Sequence, residues 1–152
     1  MITLLQQQQF LPIPLEQAWN YFSSPHNLNE LTPDDMTFKI ISKVPEKMYE
    51  GLIINYKISP MLNIPLNWCT EITHLRELHY FVDEQRKGPY KMWHHEHHFK
   101  EAPGGVDMID ILHYDIGKGI FGSLAGKLFV HKKVEQIFEY RRKKLEIMFG
   151  NK

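Results

Sequence analysis

Cysteine is almost absent from this chain: Cys69 is the only one among 152 residues. An internal disulfide framework is thereby excluded, and the chain suits a reducing cytoplasm. No activating motif surrounds Cys69, so it reads as a packed strand residue rather than a nucleophile. Neither sign of charge is in excess, since 18 basic and 18 acidic residues cancel. The chain therefore has no electrostatic footprint for nucleic acid. Its one basic cluster, Arg141-Arg142-Lys143-Lys144, lies in a helical pattern beside Glu139 and Glu146 and reads as a solvated helix face. No apolar run reaches the length that spans a bilayer. The opening MITLLQQQQF has no basic flank and no small-residue cleavage site, so no signal peptide is expected. Repeats and long linkers are missing too. These absences predict one soluble, cytoplasmic domain over residues 1–152, with an ordinary apolar share of 43%.

What is present is a long series of strand patterns. Trp, Tyr and Phe recur between Tyr90 and Phe99 with no helix breaker, which predicts one strand there. Alternate side chains of a strand face opposite ways. Trp93, His95, His97 and Phe99 share one face, and Tyr90, Met92, His94, Glu96 and His98 share the other. Two imidazoles between two large aromatics suit the wall of a mostly apolar pocket, whereas His94 and His98 fall on the convex side.

The rest of the chain is organised around that segment. Ile2–Phe10 is a candidate strand ended by Pro12 and Pro14. Leu15, Ala18, Trp19 and Phe22 have helical spacing, and Ser24-Pro25 signals a second short helix to about Leu31. Strands are predicted over Phe38–Val44, Leu52–Ile58, Leu66–His74, Tyr80–Gln85, Tyr90–Phe99 and Val106–Ile116. Their short connections imply an antiparallel meander. Helical periodicity then runs to about Phe149, with Val130, Val134, Ile137, Phe138, Leu145 and Met148 on one stripe and Lys133 off it. Only the concave face of a curled sheet is large enough to receive that stripe. The expectation is an α+β helix-grip fold, with about seven antiparallel strands wrapped around a long C-terminal helix and two short helices after the first strand.

With that order of elements, Phe81-Val82-Asp83-Glu84-Gln85, Gly88-Pro89-Tyr90, the spaced Trp93-x-His95-x-His97-x-Phe99, Asp110-x-x-x-Tyr114 and Tyr140-Arg141-Arg142 together carry a resemblance. The chain resembles the SRPBCC superfamily, which includes START-type lipid-transfer domains, birch-pollen-allergen-like proteins, polyketide cyclases and coenzyme-Q-binding proteins. It is most similar to the bacterial polyketide cyclase/dehydrase-like or ligand-binding branch. The resemblance implies binding or transport of a hydrophobic small molecule (lipid-, polyketide- or quinone-like) between sheet and helix. It fixes no ligand, because the scaffold hosts carriers, sensors and enzymes.

The residues admit more than one chemistry. Pairing across the Pro103-Gly104 turn puts Asp110 opposite or near His95, and Asp83 and Gln85 share a face with Phe81. Such groups either satisfy each other or await a polar ligand head, since an unpaired buried polar group costs roughly 1–3 kcal/mol. The candidate ligand-binding residues are Tyr56, Trp68, Phe81, Asp83, Gln85, Trp93, His95, His97, Asp110 and Tyr114. The alternative is a cyclase or dehydrase using His95 or His97 with Asp110 as acid and base on a bound carbonyl compound. His95, His97 and Asp110 also make a conceivable metal triad. With aromatic flanks and no second metal motif, neither a metal nor a cofactor is assigned. Counting turns brings Met61, Leu62, Ile64, Tyr90, Ile120 and Phe121 to one rim. They form either a self-covering apolar cluster or a cavity mouth gated through Gly117, Gly119 and Gly122 that touches a membrane transiently while loading. A third reading is a protein-interaction domain whose cavity is filled by its own side chains, with the protein partner unknown.

Overall fold

In the computed structural model, residues 1–59, 64–118 and 123–150 are described. The strands are β1 (Thr3–Leu11), β2 (Thr37–Ile40), β3 (Ile53–Ser59), β4 (Leu66–Arg76), β5 (Tyr80–Lys87), β6 (Met92–Ala102) and β7 (Gly105–Asp115). They form one antiparallel sheet in the order β1-β7-β6-β5-β4-β3-β2. Helix α1 (Leu15–Phe22) and a 3-10 helix (Pro25–Leu31) follow β1, and the long helix α2 (Leu124–Phe149) follows β7. This is the expected α+β arrangement, a curved open sheet with a long C-terminal helix. Among the described residues no helix is long and apolar enough to cross a membrane.

The β6–β7 hairpin is the spine. It pairs from Met92↔Asp115 to Ala102↔Gly105, and the turn needs Gly104, whose φ of 82° is in the left-handed region that favours glycine. Alternation does the rest: along β7 every second side chain from Val106 to Tyr114 is buried, which is what a sheet covered on one face requires.

Most strand ends shift from expectation by one to four residues, and two of these shifts have a visible cause. The first strand of the meander stops at Ile40 rather than Val44, because the amides of Ile41 and Ser42 both turn onto the carbonyl of Asn55. Strand β6 begins at Met92, not Tyr90. The Gln85 side chain captures the Tyr90 backbone instead, donating from Nε2 to its carbonyl at 2.7 Å and accepting its amide at Oε1 at 3.2 Å. That holds Tyr90 in the turn.

Apolar packing divides between the two ends of the sheet. At one end α1 lays Trp19 edge-on against Phe81 and Phe99, with centroids 6.1 and 5.6 Å away, and Phe22 closes on Phe99 at 5.4 Å. At the other, Val130, Val134 and Phe138 of α2 pack on Leu112 and Tyr114 of β7. Ser123 caps α2 by accepting the amide of Gly126. Two contacts tie α2 to the loop before β2: Lys133 Nζ to Asp35 Oδ2 at 2.8 Å, and Tyr140 Oη to Asp34 Oδ1 at 3.4 Å.

Candidate functional site

Between the two packed ends the sheet and α2 stand apart around a partly open cavity of about 210 Å³. Its wall is mainly apolar, and an aromatic group stands on the sheet side. Tyr56 stacks on Trp68 at 5.9 Å, and Trp68 meets Trp93 and Tyr90 edge-on at 5.3 and 5.5 Å. The Trp68 indole donates to Thr70 Oγ1 at 3.0 Å, and the Tyr56 hydroxyl lies 3.2 Å from the same oxygen. Thr70 thereby satisfies two polar handles that would otherwise face an apolar space. Burial pushes the Tyr56 phenol well above its usual range, so it stays neutral.

A polar cluster interrupts this wall. Three neighbouring strands contribute it: β5 gives Asp83, β6 gives His95 and His97, and β7 gives Asp110. Register decides the pairing, with Asp83 opposite His95 and Asp110 opposite His97. Each imidazole nevertheless touches both carboxylates. His97 Nε2 is 2.8 Å from Asp83 Oδ2, and its Nδ1 is 2.9 Å from Asp110 Oδ1. His95 Nε2 is 3.0 Å from Asp110 Oδ1, but its Nδ1 is 3.5 Å from Asp83 Oδ2. The Phe81 ring stacks over His97 at 4.3 Å and seals it from the closed core.

These distances locate the protons. His97 has a carboxylate oxygen close to both nitrogens, the setting of an imidazolium. Its Nδ1–H is not aligned on Asp110, so that contact is an ion pair more than a hydrogen bond. Burial alone would lower the His97 pKa, but Asp110 and Asp83 outweigh it and raise it. In His95 burial dominates, the positive His97 beside it adds to the effect, and the pKa falls. With ring centroids 3.9 Å apart, the two cannot both carry charge cheaply. His95 is therefore neutral, donates from Nε2 to Asp110, and keeps a lone pair at Nδ1. The aspartates remain ionised. Burial pushes both upward, but the hydrogen bond from His97 and the nearby cations hold Asp83 low, and the charge of Arg141 followed by the two histidines holds Asp110 well below the carboxylate range.

Arg141 is the residue that sequence reasoning misplaced. It belongs to the cluster read as a solvated face, yet its side chain turns inward, with Nη2 3.8 Å from Asp110 Oδ1 and its guanidinium 5.4 Å from the centre of the Phe138 ring. Lys133, expected off the apolar stripe, also reaches the cavity wall. The spacing held the signal: Lys133, Ile137 and Arg141 are four apart and so share a helix face. Thr70 was likewise missed as a polar anchor.

Of the sequence-derived candidates, the structure brings Tyr56, Trp68, Phe81, Asp83, Trp93, His95 and His97 to the cavity wall, with Asp110 directly behind the imidazoles. Tyr90 is on the wall as well. Gln85 is not, because both ends of its amide are engaged by the Tyr90 backbone. Tyr114 lies beneath α2, its hydroxyl 2.7 Å from His131 Nδ1. Ile64 is exposed. Met61, Leu62, Ile120 and Phe121, with Gly119 and Gly122, lie outside the described residues. For metal or cofactor chemistry the relevant set is Asp83, His95 and His97, each of which offers a donor atom within 4.8 Å of the others. Asp83 thus takes the place in the triad that the sequence suggested for Asp110.

No protein-family model matches the chain, and no curated protein matches it by sequence. Solved structures do match in shape. Protein CV1439 from Chromobacterium violaceum superposes with a TM-score of 0.72 at 11% identity, covering 98% of this chain and 98% of its own. TTHA0849 from Thermus thermophilus gives 0.68 at 19% identity, covering 95% of this chain and 94% of its own. Ara h 8.0201, a Bet v 1-like protein, gives 0.63 at 12% identity, with 95% and 98% covered. At these identities the likeness is one of fold alone, and that fold resembles the helix-grip arrangement expected from the sequence.

Proposed function

We propose that this chain binds or carries a hydrophobic small molecule bearing one polar group, held between the sheet and α2. One observation carries the reading: a mainly apolar cavity of about 210 Å³ with a buried, charged His–Asp cluster on one side. Apolar burial supplies affinity at about 25 cal/mol per Å². The cluster, with Arg141 and Lys133 on the facing helix, supplies orientation, since a few placed polar groups in an apolar pocket fix the pose of a guest. Lipid-, polyketide- and quinone-like molecules all have this character, and a fold of this kind generally binds small hydrophobic ligands.

Native mass spectrometry of gently purified protein tests this. The expected result is a species heavier than the bare chain by a small organic mass, which disappears on extraction with organic solvent. A bare mass alone, with no uptake of added long-chain fatty acid or quinone, would overturn the reading.

One observation favours a second reading. His95 is neutral, is held through Nε2 by Asp110 and presents Nδ1 beside the cavity, as a general base must. A cyclase or dehydrase would use that nitrogen on a proton next to a bound carbonyl. Turnover abolished in His95→Gln with guest binding retained would identify the enzyme; a guest recovered chemically unchanged after prolonged incubation identifies the carrier.

A further inference from the structure

The lone pair on His95 Nδ1 and the arrangement around it have a consequence beyond guest binding. Asp110 Oδ1 lies behind both rings, 3.0 Å from His95 Nε2 and 2.9 Å from His97 Nδ1. The opposite nitrogens, His95 Nδ1 and His97 Nε2, consequently converge on a second carboxylate, Asp83 Oδ2, at 3.5 and 2.8 Å. All three of these residues are on the cavity wall. A carboxylate behind a metal-ligating histidine is the usual outer-shell arrangement, because it fixes the ring and makes the outward nitrogen more basic; Asp110 is hydrogen-bonded to His95 in this way, and His97 Nδ1 rests beside the same oxygen. We infer that Asp83, His95 and His97 form a binding site for a divalent first-row transition-metal ion, with Asp110 as its outer-shell carboxylate and with its remaining coordination positions open to the cavity.

The distances suit that use. Bonds of about 2.0–2.1 Å to nitrogen and oxygen place tetrahedral donors about 3.3 Å apart, and the two separations to Asp83 bracket this value. Two imidazoles and one carboxylate match zinc or ferrous iron, and the absence of a thiolate disfavours softer ions. Calcium is disfavoured as well, since it takes six to eight oxygens. Charge also fits. With both histidines neutral, Asp83, Asp110 and Arg141 sum to one negative charge; a dication makes the site singly positive, and an anionic oxygen in an open position neutralises it. The site thereby selects an oxygen-headed guest, a carboxylate or an enolate. Arg141, 3.8 Å from Asp110, helps keep that carboxylate ionised as the ion enters.

Cobalt(II) is the probe, because its visible absorption strengthens when it leaves octahedral water for a low-coordinate protein site. Chelator-stripped and solvent-extracted protein is titrated with Co²⁺ and then with Zn²⁺. The expected result is one equivalent of Co²⁺ bound and one equivalent of Zn²⁺ displacing it. Asp83→Asn and His95→Gln should each weaken binding by about 100-fold or more, and Asp110→Asn by about 10–100-fold. A double variant of the exposed histidines, His94→Gln with His98→Gln, should bind as the parent does. No spectral change in the parent protein overturns the proposal whatever the variants do. So does binding that survives Asp83→Asn and His95→Gln, or that is lost with the exposed pair. Near-ultraviolet circular dichroism confirms that each variant is folded before its affinity is scored. No organic guest is present in the titration, so metal binding and guest binding stand or fall separately.

Discussion

Strand β6 presents the same chemistry twice, once on each face. Inward, His95 and His97 meet Asp83 and Asp110. Outward, His94 Nδ1 lies 2.6 Å from Glu84 Oε1, and His98 Nε2 lies 2.8 Å from Glu96 Oε2. The contact distances are alike. Surroundings are not: the inner side chains are 5% and 7% exposed, whereas the outer ones retain 28% and 37%. Water screens the outer pairs, so each contributes little. Inside, burial leaves the charges weakly screened, and each group depends on its neighbours. Burial rather than hydrogen-bond geometry separates a candidate site from a solvated surface.

The sharpest way to break this contrast is to remove one carboxylate from each side. Asp110→Ala leaves the His97 and Arg141 cations without their shared partner, and we expect a loss of about 3–5 kcal/mol in urea unfolding. A loss below that of an exposed pair would mean the inner cluster is solvated after all.

A pH series separates the two inner histidines in the metal-free protein. The folded His97 pKa lies above the ordinary 6.5, so the stability it lends is complete below pH 6.5 and is lost as pH rises through the raised value. His95 acts in reverse. Its folded pKa lies under 6.5, so the unfolded chain takes up the proton first and stability declines as pH falls below 6.5. The aspartates, both held under 3.8, contribute above pH 3.8 and fail as pH drops through their lowered values. The inner pair should therefore give a stability maximum near pH 6.5. His97→Gln should remove its alkaline limb, and exchanging His94 and His98 for Gln should leave the maximum in place. Urea midpoints across this range read the outcome directly.

Two smaller effects complete the comparison. Tyr114→Phe removes a hydrogen bond to His131 and should cost about 0.5–1.5 kcal/mol by thermal unfolding. Glu96→Ala, the outward counterpart of Asp110→Ala, should cost about 0.2–1 kcal/mol and less still in high salt. An equal cost for Glu96→Ala and Asp110→Ala would remove the distinction between the two faces.

Much of this was legible in the chain. The period-two alternation of Trp93, His95, His97 and Phe99 named the inward face, because a strand has only two faces. The stripe from Val130 to Leu145 named the helix that covers it. Cross-strand partnership was harder. Face parity places Asp83 and Asp110 inward but does not say which imidazole each meets; that depends on the β5–β6 and β6–β7 registers, which alternation alone does not fix. Arg141 was obscured by its company. Arg142 forms ion pairs with Glu139 and Glu146 along the outside of the helix, and a run of four cations reads as uniform unless each is assigned its own angle around the axis. Gln85 looked like a pocket amide because its parity is correct, but the nearby Tyr90 backbone competes for it and wins.

The three tryptophans of the chain are distributed in a way that has a practical consequence. Trp19 sits in the sealed aromatic pack beside α1, while Trp68 and Trp93 stand on the cavity wall. The molecule thus carries its own optical gauge: emission from the two wall indoles should shift in colour when a guest displaces solvent, against a constant background from the third. Occupancy can then be followed in real time without attaching a dye.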